Sequence, residues 1–142
     1  MYIGIDFDGT LVDHQYPRIG QKVPFGIETC LDLIAAGHKL ILWTMRSGDT
    51  LDDAVAWCQD AGIDFFGVNS NPTQNWSTSP KAYCHLYIDD AALGCPLVSR
   101  GHMDGARDWV DWPAVRLILV EKGVLPVSAV DAALTPTKEP KP

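Results

Sequence analysis

The chain reads as an α/β domain, a doubly wound three-layer α/β/α (Rossmann-like) fold around a mostly parallel sheet. Three observations predict it. Short apolar runs alternate with amphipathic stretches of helical period. The runs are apolar throughout rather than at every second position, as in parallel strands covered on both faces. The resulting βαβαβ order implies right-handed crossovers, with all strand C-termini converging on one edge of the sheet.

The strands are expected at Tyr2–Asp6, Lys39–Thr44, Asp64–Val68 and His85–Asp89. A first helix is predicted over Phe25–Ala36, with Ile27, Cys30, Leu31, Ile34 and Ala35 on its inward stripe. Pro24 before it and Gly37 after it are start and stop signals. A second is predicted near Thr50–Ala61, with Leu51, Ala54, Val55 and Cys58 inward, Asp49 or Thr50 as cap and Gly62 as terminator. A third is predicted near Pro113–Lys122, with Asp111 as its cap candidate and Gly123 at its end. Asn69–Pro80 is polar and holds two prolines, so it reads as a long loop of the kind that often carries function. Gly94–Val110 reads as irregular, with a short edge strand at Pro96–Ser99. Residues 1–126 are expected to form one domain, and 127–142, rich in Pro, Thr, Ala and Lys, a partly disordered C-terminal tail.

Composition narrows the function classes. A chain of 142 residues, 46% hydrophobic, supports one domain with its own core. A net charge of −7 argues against broad binding to nucleic acid or to an anionic membrane. No run approaches a membrane span, and the N-terminus enters a strand directly instead of a signal peptide. Cys30, Cys58, Cys84 and Cys95 form no CxxC pair, as expected of reduced thiols in a cytoplasmic protein.

The chemistry is written at the strand ends. The first strand ends Asp6-Phe7-Asp8-Gly9-Thr10, the second Trp43-Thr44 and the fourth Ile88-Asp89-Asp90. Convergence of these ends gathers carboxylates and a hydroxyl in one crevice. Asp6, Asp8, Asp89 and Asp90 would repel one another in a partly dry site. A hard, oxygen-seeking Mg²⁺ would relieve that repulsion and let an anionic phosphate approach an anionic nucleophile.

These residues resemble the haloacid dehalogenase (HAD) superfamily. The resemblance rests on Asp6-Phe7-Asp8-Gly9-Thr10, on Thr44 ending a hydrophobic strand, on Lys81 in Ser79-Pro80-Lys81-Ala82, and on the acidic pair Asp89-Asp90, in that order over about residues 2–92. It implies that Asp6 is a nucleophile forming an aspartyl-phosphate and that Asp8 is the general acid and base. It also implies that Thr44 donates to a phosphoryl oxygen and that Lys81 places positive charge there and on Asp6. Gly9 and Thr10 are expected on the phosphate side of the same loop. Asp6, Asp8 (by its main-chain carbonyl), Asp89 and, through water, Asp90 are the expected metal ligands. Arg46, two residues after Thr44, suits either bidentate contact with a substrate anion or a structural ion pair. His14, Tyr16 and Arg18 lie where the family places a mobile flap.

Only about 18 residues separate Asp6 from the first helix, too few for an inserted cap domain. A capless crevice is closed by loops, by a neighbouring subunit in a homo-oligomer, or by the substrate. The expectation is a phosphatase for a small phosphorylated metabolite such as a sugar phosphate or nucleotide. The alternatives are a phosphatase acting on a nucleic-acid or protein end and a catalytically silent binding module.

Overall fold

The computed structural model describes residues 1–101 and 105–132. Four strands form one sheet: β1 (Tyr2–Ile5), β2 (Lys39–Leu42), β3 (Gly67–Val68) and β4 (Leu86–Ile88). Their order is β3-β2-β1-β4 and every pairing is parallel. The chain winds outward from β1 to β3, then returns to the far side of β1, so the switch point falls at the C-terminal end of β1.

Helices α1 (Gly26–Ala35) and α2 (Gly48–Asp60) make the crossovers, and α3 (Trp112–Glu121) follows a small ribbon of β5 (Leu97–Val98) and β6 (Trp109–Val110). Strand alternation sorts the sheet residues onto two faces. Ile3, Ile5, Leu40, Leu42 and Ile88 share one core with Cys30 and Leu33 of α1, Ala54 and Cys58 of α2, and Val115 and Leu119 of α3. Ile41, with Tyr2, Trp43 and Tyr87, packs instead against Ala82 and Cys84.

This layering departs from the three-layer expectation. All three long helices lie on one face, and the second face is covered by the segment between β3 and β4, which holds no helix. Side-chain bonds give that segment its shape. Asn71 donates from Nδ2 to the Tyr83 carbonyl, and Gln74 bonds both the Lys81 carbonyl and the Tyr83 N–H.

Local details follow from the same physics. In α1 the buried residues are Gly26, Thr29, Cys30 and Leu33, while Leu31 is exposed, so the inward stripe is turned from the expected one. A side chain at Gly26 would meet the Trp112 indole, which explains the glycine. The N-cap of α2 is Ser47, not Asp49 or Thr50, and the Thr50 hydroxyl donates back to its carbonyl. Asp111 caps α3 as expected, accepting from the Ala114 N–H at 3.1 Å. The strand expected at Pro96–Ser99 is β5, but it pairs antiparallel with β6 rather than at the edge of the main sheet.

The start of the expected tail packs on the domain. Residues Ser128–Ala132 form a short helix, α4, with Ala129 buried. The cause is Arg116, a buried cation on α3 that needs acceptors. It donates to the Ala129 carbonyl, the Thr29 hydroxyl and the Asp32 carboxylate. The rest of the expected tail, 133–142, lies outside the described residues. All four cysteines are free thiols, and no described helix is long and apolar enough to cross a membrane.

Candidate active site

Asp6 follows the last residue of β1, and its N–H donates to the Ile88 carbonyl at 3.0 Å. That bond ties the end of β1 to the end of β4, so Asp6 and the Asp89-Asp90 pair face one another. Carboxylate oxygens of Asp6, Asp89 and Asp90 all lie within 4.8 Å of one another. Asp8 is not in this group. Among the described residues this is the one cluster of oxygen donors suited to a hard cation.

Burial and like charge act together on the cluster. Burial first, then the Asp89 charge, push the Asp6 carboxyl up from its ordinary 3.8 to about 8, against a hydrogen bond from Thr10. Burial also raises Asp89, with Asp90 adding to the rise. Asp90 has a second partner, the His14 ring, whose Nε2 lies 2.9 Å from Oδ2. His14 therefore sits on the acidic cluster, which its place in a loop did not reveal.

The turn after β1 is closed on itself. Gly9 has φ +81, donates its N–H to the Val12 carbonyl, and accepts from the Val110 N–H. A Cβ there would collide with His14 Nε2 and Asp90 Oδ2. Thr10 is fully buried. Its hydroxyl donates to Asp6 Oδ2 at 2.9 Å, and its carbonyl accepts from the Trp112 indole at 2.7 Å. Gly9 and Thr10, expected on the phosphate side of this loop, have polar groups that hold the turn and orient Asp6.

Of the two roles expected for Arg46, the structure has the ion pair. Arg46 is 2% exposed, and its N–H groups are engaged by protein acceptors. Nε and Nη2 bond both oxygens of Asp8, at 2.8 and 2.7 Å. Nη1 and Nη2 also reach the carbonyls of Pro17, Arg18 and Thr50. A guanidinium has five N–H donors, and none is left over for a substrate. The Asp8 contact raises the Arg46 pKa further. It pins the loop after β1 rather than lining an opening.

The Lys81 side chain is exposed and its ammonium lies 5.4 Å from the Tyr87 ring centroid, on the second face of the sheet. It makes no ion pair among the described residues. Gln74 and Ser79 fix the backbone at this position.

A cleft of about 320 Å³ opens over the cluster, lined by Asp6, Asp89, Thr44, Asn69, Trp43, Met45 and Pro80. The Thr44 hydroxyl accepts from the Arg46 N–H at 3.1 Å, which leaves its proton free to donate into the cleft. Asn69, at φ 51, accepts from the Thr44 N–H at 2.8 Å and sets that residue's position. Trp43 and Met45 were not expected here; the alternation of β2, which puts Trp43 on the face of Ile41, was the available signal. A separate groove of about 220 Å³ beside β4 is lined mainly by apolar residues such as Leu86, Leu93 and Leu119 and holds no carboxylate.

The fold and the site define a parallel α/β domain with an acidic cleft at its switch point. A solved structure of a conserved protein coded by a locus of Bacteroides thetaiotaomicron is similar to it, with 37% sequence identity and a TM-score of 0.70. The match covers 86% of this chain and 91% of that one. The chain belongs to the same family as that conserved protein. No family model matches the chain, and no curated protein matches it.

Proposed function

We propose that the chain is a Mg²⁺-dependent phosphatase of the haloacid dehalogenase type, hydrolysing a phosphate monoester through an aspartyl-phosphate on Asp6. The observation that carries this reading is the Asp6–Asp89–Asp90 cluster at the end of β1, under a cleft that also presents the Thr44 hydroxyl.

A buried carboxyl facing two others is unfavourable as an anion, and a divalent cation reverses that. Asp6, Asp89 and Asp90 are the residues that would hold it, and all three offer oxygen donors. Bound there, Mg²⁺ would neutralise charge between the carboxylates and the phosphate. A free Asp6 oxygen attacks phosphorus while Thr10 holds the other oxygen. The ester oxygen leaves with a proton from Asp8, a step that requires this carboxyl to turn out of the Arg46 fork and into the cleft in its protonated form, and Thr44 donates to a phosphoryl oxygen. Water then attacks phosphorus, giving its proton to Asp8, and inorganic phosphate and free Asp6 are restored. Arg46 is a positioning residue that fixes where the Asp8 carboxylate sits. With Lys81 over Tyr87 and in no ion pair among the described residues, this reading gives it no part.

The strand order β3-β2-β1-β4 and the absence of a folded insert in the loops after β1 and β3 support a capless member of that superfamily. The test is phosphate release from p-nitrophenyl phosphate with and without Mg²⁺, run beside Asp6→Asn. Turnover is expected with Mg²⁺ and should vanish in Asp6→Asn, whose circular dichroism spectrum should match the parent. Turnover retained by that variant would sink the mechanism; no turnover at all would leave the catalytically silent module.

A further inference from the structure

We infer that the cleft selects phosphate esters of uncharged, ring-bearing alcohols, with the ring seated on Trp43, Met45 and Pro80. The inference rests on the phosphatase reading and deepens it by naming the substrate class.

Three observations carry it. First, the wall of the cleft away from the carboxylates is apolar, made by Trp43, Met45 and Pro80. Trp43 leaves β2 immediately before Thr44, and Met45 follows it, so the apolar wall adjoins the hydroxyl that faces the phosphoryl group. Second, Met45 is 98% exposed. A methionine held fully in water packs against nothing in the chain, and its flexible thioether suits an adaptable contact with a ligand face. Third, the cleft lining holds no Lys, Arg or His. Arg46 is engaged by Asp8 and three carbonyls, and Lys81 lies over Tyr87.

The charge argument decides what the rest of the substrate can be. Mg²⁺ held by Asp6, Asp89 and Asp90 would serve the transferring phosphoryl group, so a carboxylate or second phosphate on the leaving group would find no protein cation in the lining to pair with. A neutral group would find the Trp43 indole and a thioether. Trp stacks well with flat rings and with the C–H faces of sugars. An aromatic or pyranose ring fits this wall, and a bisphosphate or a phosphorylated acid does not.

The experiment compares benzyl phosphate, ethyl phosphate and 4-carboxybenzyl phosphate with Mg²⁺, reading kcat/KM. All three release a primary alcohol of similar acidity, so their differences report binding of the carrier group. Benzyl phosphate should exceed each of the others by about tenfold or more. In Trp43→Ala and in Met45→Ser the benzyl-to-ethyl ratio should fall toward one, through KM more than kcat, and Trp43→Phe should restore it. Met45 is exposed, so its variant keeps the test valid if Trp43→Ala fails to fold. Benzylphosphonate, which cannot be hydrolysed, should quench tryptophan fluorescence in the parent and lose that signal in Trp43→Phe. Equal kcat/KM values for the three esters, or a ratio unmoved in both variants, would overturn the inference and leave the phosphatase reading standing. No Mg²⁺-dependent phosphate release from any ester would overturn both.

Discussion

Arg46 and Asp8 form a two-pronged ion pair, with Nη2 2.7 Å from Oδ1 and Nε 2.8 Å from Oδ2. The same guanidinium holds the carbonyls of Pro17, Arg18 and Thr50, so one side chain from the end of β2 locks the loop after β1. Truncating one partner of such a buried pair leaves the other groups uncompensated. Arg46→Ala should therefore lower stability by about 3–5 kcal/mol in urea unfolding. Arg46→Lys should recover little, because a compact ammonium cannot match the fork.

Asp6 gives stability a pH dependence of definite sign. Its carboxyl titrates near 3.8 when exposed and at about 8 in the fold. Between those values the folded chain binds a proton that the unfolded chain does not. Stability of the metal-free protein should therefore fall as pH rises from about 4 to about 8. Asp6→Asn should flatten that fall, and Mg²⁺ should raise the melting temperature of the parent most above pH 8. Thermal scans across pH, with EDTA or with Mg²⁺, measure both effects.

Gly9 is fixed by its backbone and by its neighbours. Gly9→Ala would place a side chain at φ +81 against His14 and Asp90. A loss of about 1–3 kcal/mol from strain is expected, with more from the clash. Because the displaced groups belong to the acidic cluster, Mg²⁺ affinity should weaken as well. Unfolding curves and isothermal titration with Mg²⁺ separate the two effects.

Lys81 supplies a test of the orientation seen here. Its ammonium lies over Tyr87 and makes no ion pair among the described residues. Lys81→Ala should keep Mg²⁺-dependent turnover within about tenfold of the parent. A larger fall, a few hundredfold or more, is what a direct contact with the phosphoryl group would give.

Much of the fold could be read in advance, because strand and helix identity depend on local pattern. The apolar runs gave all four strands of the sheet, and Asp111 capped α3 where it was expected. The layering was not readable. A continuous apolar run says that a strand is covered on both faces, not that helices do the covering. Here Asn71 and Gln74 let a helix-free segment cover the second face.

The site divides along the same line. By itself the sequence determined that Asp6, Thr44 and the Asp89-Asp90 pair stand at strand ends, since a parallel sheet brings those ends to one edge. Only the tertiary structure decided which way the polar groups around them turn. Arg46 closes on Asp8, Thr10 on Asp6 and His14 on Asp90, while Lys81 lies over Tyr87. Position along the chain places a Cα, but a donor's partner depends on which acceptors, distant in sequence, fold within 3 Å of it, and burial leaves such groups little alternative but to pair.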